Sequence, residues 1–171
     1  MASFSVGGTE WSDKSTSNCY KLELTLTETA VDATNNESVI SYKLVLSSGP
    51  HNRFQWTVGS YIEINETRIA TGSEEKYLDY DESWTLLEGT TKVKHNEDGT
   101  MTLSVKAGID DVMSQTSYGP PALTITGAMD LTPIQAAPAA YPIVFNGQEV
   151  RAVVFNGQPV EHLIYNGTTI F

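Results

Sequence analysis

Strict alternation of apolar and polar residues is the feature that most limits what this chain can fold into. In residues 20–27, Tyr-Lys-Leu-Glu-Leu-Thr-Leu-Thr, every second side chain is apolar. Residues 40–46, Ile-Ser-Tyr-Lys-Leu-Val-Leu, repeat the pattern, with Ile40, Tyr42, Leu44 and Leu46 on one face. Because successive side chains of a strand point to opposite faces, this period of two predicts strands with one buried and one wet face.

Further strand patterns follow along the chain, and no convincing helix pattern accompanies them. Residues 54–72 predict two or three short strands with a turn near Asn65-Glu66. Val93 precedes the turn residues 96–99, Asn-Glu-Asp-Gly, and Met101, Leu103 and Val105 alternate after them, which predicts a hairpin. A last strand follows Pro120-Pro121. Seven or so short strands predict an all-β fold, an immunoglobulin-like β-sandwich over residues 1–132.

The composition changes after the last strand pattern. Residues 133–142, Pro-Ile-Gln-Ala-Ala-Pro-Ala-Ala-Tyr-Pro, are typical of a short, stiff connector that packs poorly. We therefore place a domain boundary there and treat residues 143–171 as a separate element.

That last element repeats Asn-Gly three times at ten-residue spacing, at residues 146–147, 156–157 and 166–167. Asn-Gly is the strongest two-residue hairpin signal, because a type I′ turn requires positive φ at both central positions. The repeat predicts a C-terminal β-meander with strands 148–155 and 158–165, in which Pro159 lies opposite Val154.

Neither face of this meander is cleanly apolar, but both faces carry apolar residues. A small meander that is apolar on both faces is not stable alone in water. It is expected to pack on the sandwich, on a copy of itself or on another protein. The predicted assembly interface consists of its apolar side chains: Phe145, Val153, Val154, Phe155, Val160, Leu163, Ile164, Tyr165, Ile170 and Phe171.

Charge excludes several classes of partner. The formal net charge of −11 and the pI near 4.5 argue against binding to nucleic acid and to anionic membrane surfaces. The apolar runs are too short to cross a bilayer, so we expect no membrane insertion. The first residues lack the basic and apolar regions of a signal peptide, and the single Cys19 leaves no intrachain disulfide.

Chemistry-bearing motifs are few. His51, His95 and His162 have no second ligand at zinc spacing, so they are interpreted as exposed or structural histidines, and no metal or cofactor is expected. Cys19 has no partner histidine in a recognisable motif, and there is no nucleophile elbow and no phosphate loop. We therefore expect a protein that is not an enzyme.

Aromatic residues interleaved with carboxylates mark one stretch, residues 77–84, Tyr-Leu-Asp-Tyr-Asp-Glu-Ser-Trp. It fits a glycosidase carboxylate pair, a sugar platform or a polar strand edge, of which the strand edge is favoured. Trp56 and Tyr61, with Trp11, are a second candidate sugar-binding face, although Trp56 is favoured as the core tryptophan of the sandwich. The candidate glycan-binding residues are Trp56, Tyr61, Tyr77, Tyr80 and Trp84.

Two segments carry a resemblance to a known kind of protein. The turn of His95, Asn96, Asp98 and Gly99, with the later Leu131-Thr132-Pro133-Ile134, resembles a β-sandwich module of tail and host-specificity proteins of long-tailed bacteriophages. The C-terminal repeat is similar to short Asn-Gly tails that end some phage structural proteins.

This resemblance implies a structural protein of the virion, made in the host cytoplasm, in a tail, baseplate or fibre-type position. It also implies assembly through the C-terminal meander, as a homo-oligomer and with other virion proteins. A capsid decoration or head-fibre protein is the nearest alternative. A module that contacts host surface polysaccharide, and an enzyme built on Asp79, Asp81 and Glu82, are the alternatives from other classes.

Overall fold

A computed structural model of the chain describes residues 3–13, 18–50, 53–115 and 119–134, and six two-residue strands between 144 and 169. Side chains are described from residue 20 to residue 134, outside 51–52, 54 and 116–118. The chain divides into two compact units, Met1–Ile134 and Gln135–Phe171. The described residues form strands and turns without a helix, which confirms the all-β prediction.

Eight long strands build the first unit, and every paired neighbour runs antiparallel. They are β1 (Ser3–Asp13), β2 (Asn18–Asp32), β3 (Glu37–Ser48), β4 (Phe54–Ile64), β5 (Thr67–Leu78), β6 (Ser83–Lys94), β7 (Thr102–Ile109) and β8 (Leu123–Asp130). One sheet has the order β1-β2-β3-β6 and the other the order β5-β4-β7-β8. The chain therefore passes from one sheet to the other after β3, after β5 and after β6.

One apolar core draws its residues from both sheets, which is the arrangement of a β-sandwich. On β2 the predicted alternation is confirmed, since Tyr20, Leu22, Leu24 and Leu26 are fully buried. Burying such a side chain stabilises the fold by about 1.5–3 kcal/mol. The side chains that meet them across the core include Val58, Ile62, Ile64, Leu103, Val105, Ala107, Leu123, Ile125 and Met129.

The predicted turn at Asn65-Glu66 is confirmed and joins β4 to β5. Both residues have positive φ, 49° and 64°, which is the requirement of a type I′ hairpin turn. The strands on either side are longer than predicted, because one hairpin of 11 and 12 residues replaces two or three short strands.

The hairpin predicted around residues 96–99 is wrong. β6 pairs with β3 in one sheet, whereas β7 pairs with β4 and β8 in the other. The same turn residues therefore form a corner that carries the chain between the sheets. The residues of a turn predict that the chain bends there, but residues far away in the sequence decide which strands pair.

The second unit contains six short strands. They are β9 (Val144–Phe145), β10 (Gln148–Glu149), β11 (Val154–Phe155), β12 (Gln158–Pro159), β13 (Ile164–Tyr165) and β14 (Thr168–Thr169), and they form three separate two-stranded antiparallel sheets. Val154 lies opposite Pro159, and Phe155 lies opposite Gln158. The three Asn-Gly pairs, and the middle of both predicted long strands, lie outside the described residues, so the turns and the continuous meander stay predictions.

The predicted assembly interface falls on this unit. Five of its members lie in the short strands: Phe145, Val154, Phe155, Ile164 and Tyr165. The other five lie outside the described residues: Val153, Val160, Leu163, Ile170 and Phe171.

Candidate functional sites

The five candidate glycan-binding residues do not share one surface. Trp84 lies opposite Leu46 in the β3–β6 register, so its side chain is on the inward face, where it packs against the core. The ammonium of Lys76 sits 4.2 Å from the centre of its ring, a cation–π contact that covers the indole. Trp84 is therefore a core-edge residue in this structure.

Trp56 has the opposite outcome. The prediction that it is the core tryptophan is wrong, because 38% of its surface is exposed. It has the inward phase of Val58, but it lies near the start of β4, where the sheet ends. Its indole N–H donates to Oε1 of Gln115, so the edge of the ring is held while part of its surface stays open.

Tyr61 lies on the outer face of the second sheet and is covered by cations. The guanidinium carbon of Arg68 is 4.6 Å and the ammonium of Lys106 is 5.9 Å from the ring centre. The ring also lies over Gly108, where an added Cβ would stand 2.6 Å from the Tyr61 hydroxyl. These contacts cover the ring surface on which a sugar would have to stack.

The stretch 77–84, favoured as a polar strand edge, comprises the end of β5, a turn at residues 79–82 and the start of β6. Tyr77 and Tyr80 are 39% and 53% exposed. The guanidinium carbon of Arg53 is 5.3 Å from the Tyr77 ring centre, and its Nε donates to the Tyr77 hydroxyl. That hydrogen bond is the main cause of the raised pKa of Arg53, with Asp79 adding to it.

The turn itself is fixed by hydrogen bonds. Ser48 Oγ donates to the Asp79 carbonyl at 2.6 Å, and the Asp79 amide donates to Oε2 of Glu82 at 2.9 Å. Oδ1 of Asp79 accepts the Tyr80 amide at 2.9 Å. Asp81 takes a left-handed conformation with φ of 54°. The carboxylates of Asp79 and Glu82 thus hold the turn that presents Tyr80.

A second cluster is buried, and sequence analysis missed two of its three members. Glu28 and Ser38 are fully buried and His95 is 7% exposed. Ser38 Oγ donates to Oε1 of Glu28 at 2.6 Å and lies 2.8 Å from Nε2 of His95. Buried polar groups are costly unless they are hydrogen-bonded, and this network satisfies them across β2, β3 and the corner after β6.

The same network joins the two sequence segments that carry the phage resemblance. Nδ1 of His95 lies 2.9 Å from the carbonyl oxygen of Gly99, which also accepts the Ile134 amide at 2.9 Å. Because a carbonyl oxygen only accepts, Nδ1 carries the hydrogen. The amide and the hydroxyl of Thr132 both donate to Oε2 of Glu28. Residues 95–99 and 131–134 are therefore parts of one structural unit.

The remaining candidates carry no described chemistry. His51 and His162 lie outside the described residues. Cys19 lies within β2, which begins at Asn18, and Trp11 lies within β1; their side chains are not described. Within the described ranges, no group of three or more His, Cys, Asp or Glu could hold a metal ion. In that same part of the chain there is also no helix long and apolar enough to cross a membrane.

Comparison with known proteins gives one match. A family model described as siphovirus protein of unknown function (DUF859) matches residues 10–142. This range contains β2 to β8 complete, the buried network and the Tyr80 turn. No curated protein and no solved structure matches the chain.

Proposed function

Because the chain belongs to this family of siphovirus proteins, we propose that it is a structural protein of the virion. The match over residues 10–142 is the observation that carries the proposal, since it covers most of the 171-residue chain. The resemblance of residues 95–99 and 131–134 to phage tail modules favours a tail, baseplate or fibre-type position. Their contact through Gly99 and Ile134 supports treating them as one module.

The sandwich is proposed to be immunoglobulin-like. In its sheets β3 neighbours β6, and β4 neighbours β7, so both sheets contain pairs that are not consecutive in the chain. Such crossings are what Greek-key connections between two sheets produce. On this interpretation β1 is an added edge strand beside β2.

Assembly is proposed to proceed through the second unit. Its sequence places apolar residues on both faces of short paired strands, and burial of such residues between chains is the usual source of association energy. Pairing of exposed strand edges would add directional hydrogen bonds. A symmetric homo-oligomer that also contacts other virion proteins is the expected product. The role requires no catalytic step and no cofactor.

The location is tested on purified particles. Tryptic peptides of the chain are expected in virions banded by density-gradient centrifugation, and antibody against the sandwich is expected to label the tail region by electron microscopy. Absence of the protein from purified particles contradicts a structural role. Labelling confined to the head would contradict the tail position and favour a capsid decoration protein instead.

The assembly role is tested by deleting residues 138–171, which leaves the buried Ile134 in place. The truncated protein is expected to be a folded monomer that no longer enters particles. The full chain with Val31→Ala, a change at an exposed position of the first unit, is the control and should assemble normally. A truncated chain that still forms oligomers and enters particles contradicts the proposed role of the second unit.

A further inference from the structure

We propose that Tyr80 and Tyr77, with Arg53 and Asp79, form a binding site for an uncharged polysaccharide. The site goes beyond the proposed structural role and does not depend on the assembly of the protein. Its starting point is exposure. Among the described side chains, the exposed large hydrophobic residues are Val31, Trp56, Tyr77 and Tyr80. Two of the four therefore lie close together in the sequence, Tyr77 near the end of β5 and Tyr80 in the turn that follows it.

The exposed ring of Tyr80 stands on a rigid turn. Hydrogen bonds from Ser48 to the Asp79 carbonyl and from the Asp79 amide to Glu82 fix the backbone on either side. Asp81 has a φ of 54°, a left-handed conformation that residues other than glycine rarely adopt. A large ring that is both exposed and fixed loses little freedom when a ligand stacks on it, which is the advantage of a preorganised site.

Polar groups suited to hydroxyls lie beside the rings. The Arg53 side chain is 57% exposed and that of Asp79 is 40% exposed, with 4.0 Å between Nε and Oδ1. Nε is directed to the Tyr77 hydroxyl, and that hydroxyl lies 3.4 Å from Oδ2 of Asp79. A guanidinium supplies several N–H donors in one plane and a carboxylate supplies acceptors, so together they can bind neighbouring hydroxyls of a sugar ring. The apolar face of that ring would lie on Tyr80, because Arg53 already lies over the Tyr77 ring, which takes part through its hydroxyl.

Charge restricts the ligand to an uncharged one. The turn carries three carboxylates, Asp79, Asp81 and Glu82, of which Asp79 lies 4.0 Å from Nε of Arg53, and the formal net charge of the whole chain is −11. An anionic polymer would approach against this field. A neutral polysaccharide meets no such barrier, and its hydroxyls can use both the donor and the acceptor groups.

The other aromatic candidates do not join this site. Tyr61 is covered by Arg68 and Lys106, and Trp84 by Lys76. Trp56 neighbours Lys76 in the register, and because side chains alternate along a strand, it lies on the opposite face of the sheet from Tyr77. The proposal therefore assigns binding to the Tyr77–Tyr80 connection alone.

The experiment applies the full-length protein to an array of bacterial surface polysaccharides, with neutral polymers beside polymers that carry uronic acid or phosphate. Binding to at least one neutral polymer is expected. Tyr80→Ala should weaken it at least tenfold, whereas Tyr80→Phe, which keeps the ring, should retain most of it. Val31→Ala is the matched control, because position 31 is 40% exposed and lies near the end of β2, opposite Ser38 and away from the Ser48 end of β3 that holds the Tyr80 turn. This variant should bind as the native protein does.

Three results would overturn the proposal: no binding to any polymer, binding to anionic polymers alone, or equal binding by the native protein and Tyr80→Ala. Circular dichroism of each variant shows that the fold is kept. Incorporation into particles is measured separately, so that loss of glycan binding and failure of the structural role are distinguished.

Discussion

The carbonyl of Ile134 lies directly against Gly99, so that a Cβ built at position 99 would stand 1.8 Å from the Ile134 oxygen. Gly99 has φ of 78°, and its own carbonyl accepts the Ile134 amide at 2.9 Å. The corner between β6 and β7 and the segment that follows β8 are thus fitted to each other, which is possible only with glycine at this position.

This contact predicts that Gly99→Ala destabilises the sandwich by about 2–4 kcal/mol, through the left-handed backbone and the clash together. The measurement is urea unfolding followed by tryptophan fluorescence. Gly59→Ala is the matched control, since its added Cβ would also meet an atom at 1.8 Å, but that atom is the carboxylate end of exposed Asp110. A side chain can rotate away, so a similar loss in both variants would contradict the explanation.

The buried carboxylate of Glu28 gives a second prediction. Glu28→Gln keeps the volume but replaces one acceptor oxygen with an NH₂ group, which must face either Ser38 or the two donors of Thr132. We expect a loss of about 2–4 kcal/mol, because the charge-assisted hydrogen bonds that the carboxylate accepts from Ser38 and Thr132 become neutral ones or lose their acceptor. Glu23→Gln, on the same strand but paired with Lys21 at the surface, should change the stability by less than about 0.5 kcal/mol.

Tyr61 and Gly108 give a prediction about coupling. A Cβ at position 108 would stand 2.7 Å from ring carbons of Tyr61, so Gly108→Ala should lower the stability in the native background. In a Tyr61→Ala background the space is free, and the same change should cost nothing or stabilise the strand. A double-mutant cycle should give a coupling energy of about 1–2 kcal/mol. Additive effects would show that the ring does not need the glycine.

Asp98 gives a prediction about pH. The Thr100 hydroxyl donates to Oδ1 of Asp98 at 2.6 Å, and together with the Thr100 amide it lowers the pKa of Asp98 below its usual value. A lowered folded pKa means that the stabilisation is present above the unfolded pKa and is lost as the pH falls through the folded one. NMR titration should show Asp98 ionising at a pH below the usual range of an aspartate, and closer to that range in Thr100→Ala. Thr102→Ala should leave the Asp98 titration unchanged.

Much of the sandwich could be predicted from the sequence, because alternation is local. The four buried residues of β2 were found in this way, and Glu28 continues their phase at the next step of two. Ser38 likewise precedes the inward series that begins at Ile40. The phase therefore placed both polar residues in the core, and reading it past the last apolar residue would have identified the buried network.

Other features could not be predicted because they depend on distant parts of the chain. Trp56 and Trp84 both have the inward phase of their strands. Trp56 is exposed because it lies near the end of its sheet, whereas Trp84 is covered by Lys76. The residues of the 96–99 turn bend the chain in a hairpin and in an inter-sheet corner alike. The exposed Tyr80 site likewise depends on Ser48, which is far from it in the sequence.

The end of the first unit gives the last prediction. The sequence places the sandwich boundary at residue 132, yet Ile134 is only 4% exposed and its amide is bonded to Gly99. A chain ending at residue 131 loses this side chain and both Thr132 donors to the buried Glu28 carboxylate. It should therefore be less stable than a chain ending at residue 137 by roughly 3–5 kcal/mol.

Both truncations lack the second unit, so the difference in their urea midpoints reports on residues 132–137 alone. Adding Glu28→Gln should cost less in the chain ending at 131, because the Thr132 donors are already gone. Equal midpoints for the two truncations would mean that residues 132–137 contribute nothing to the stability of the sandwich.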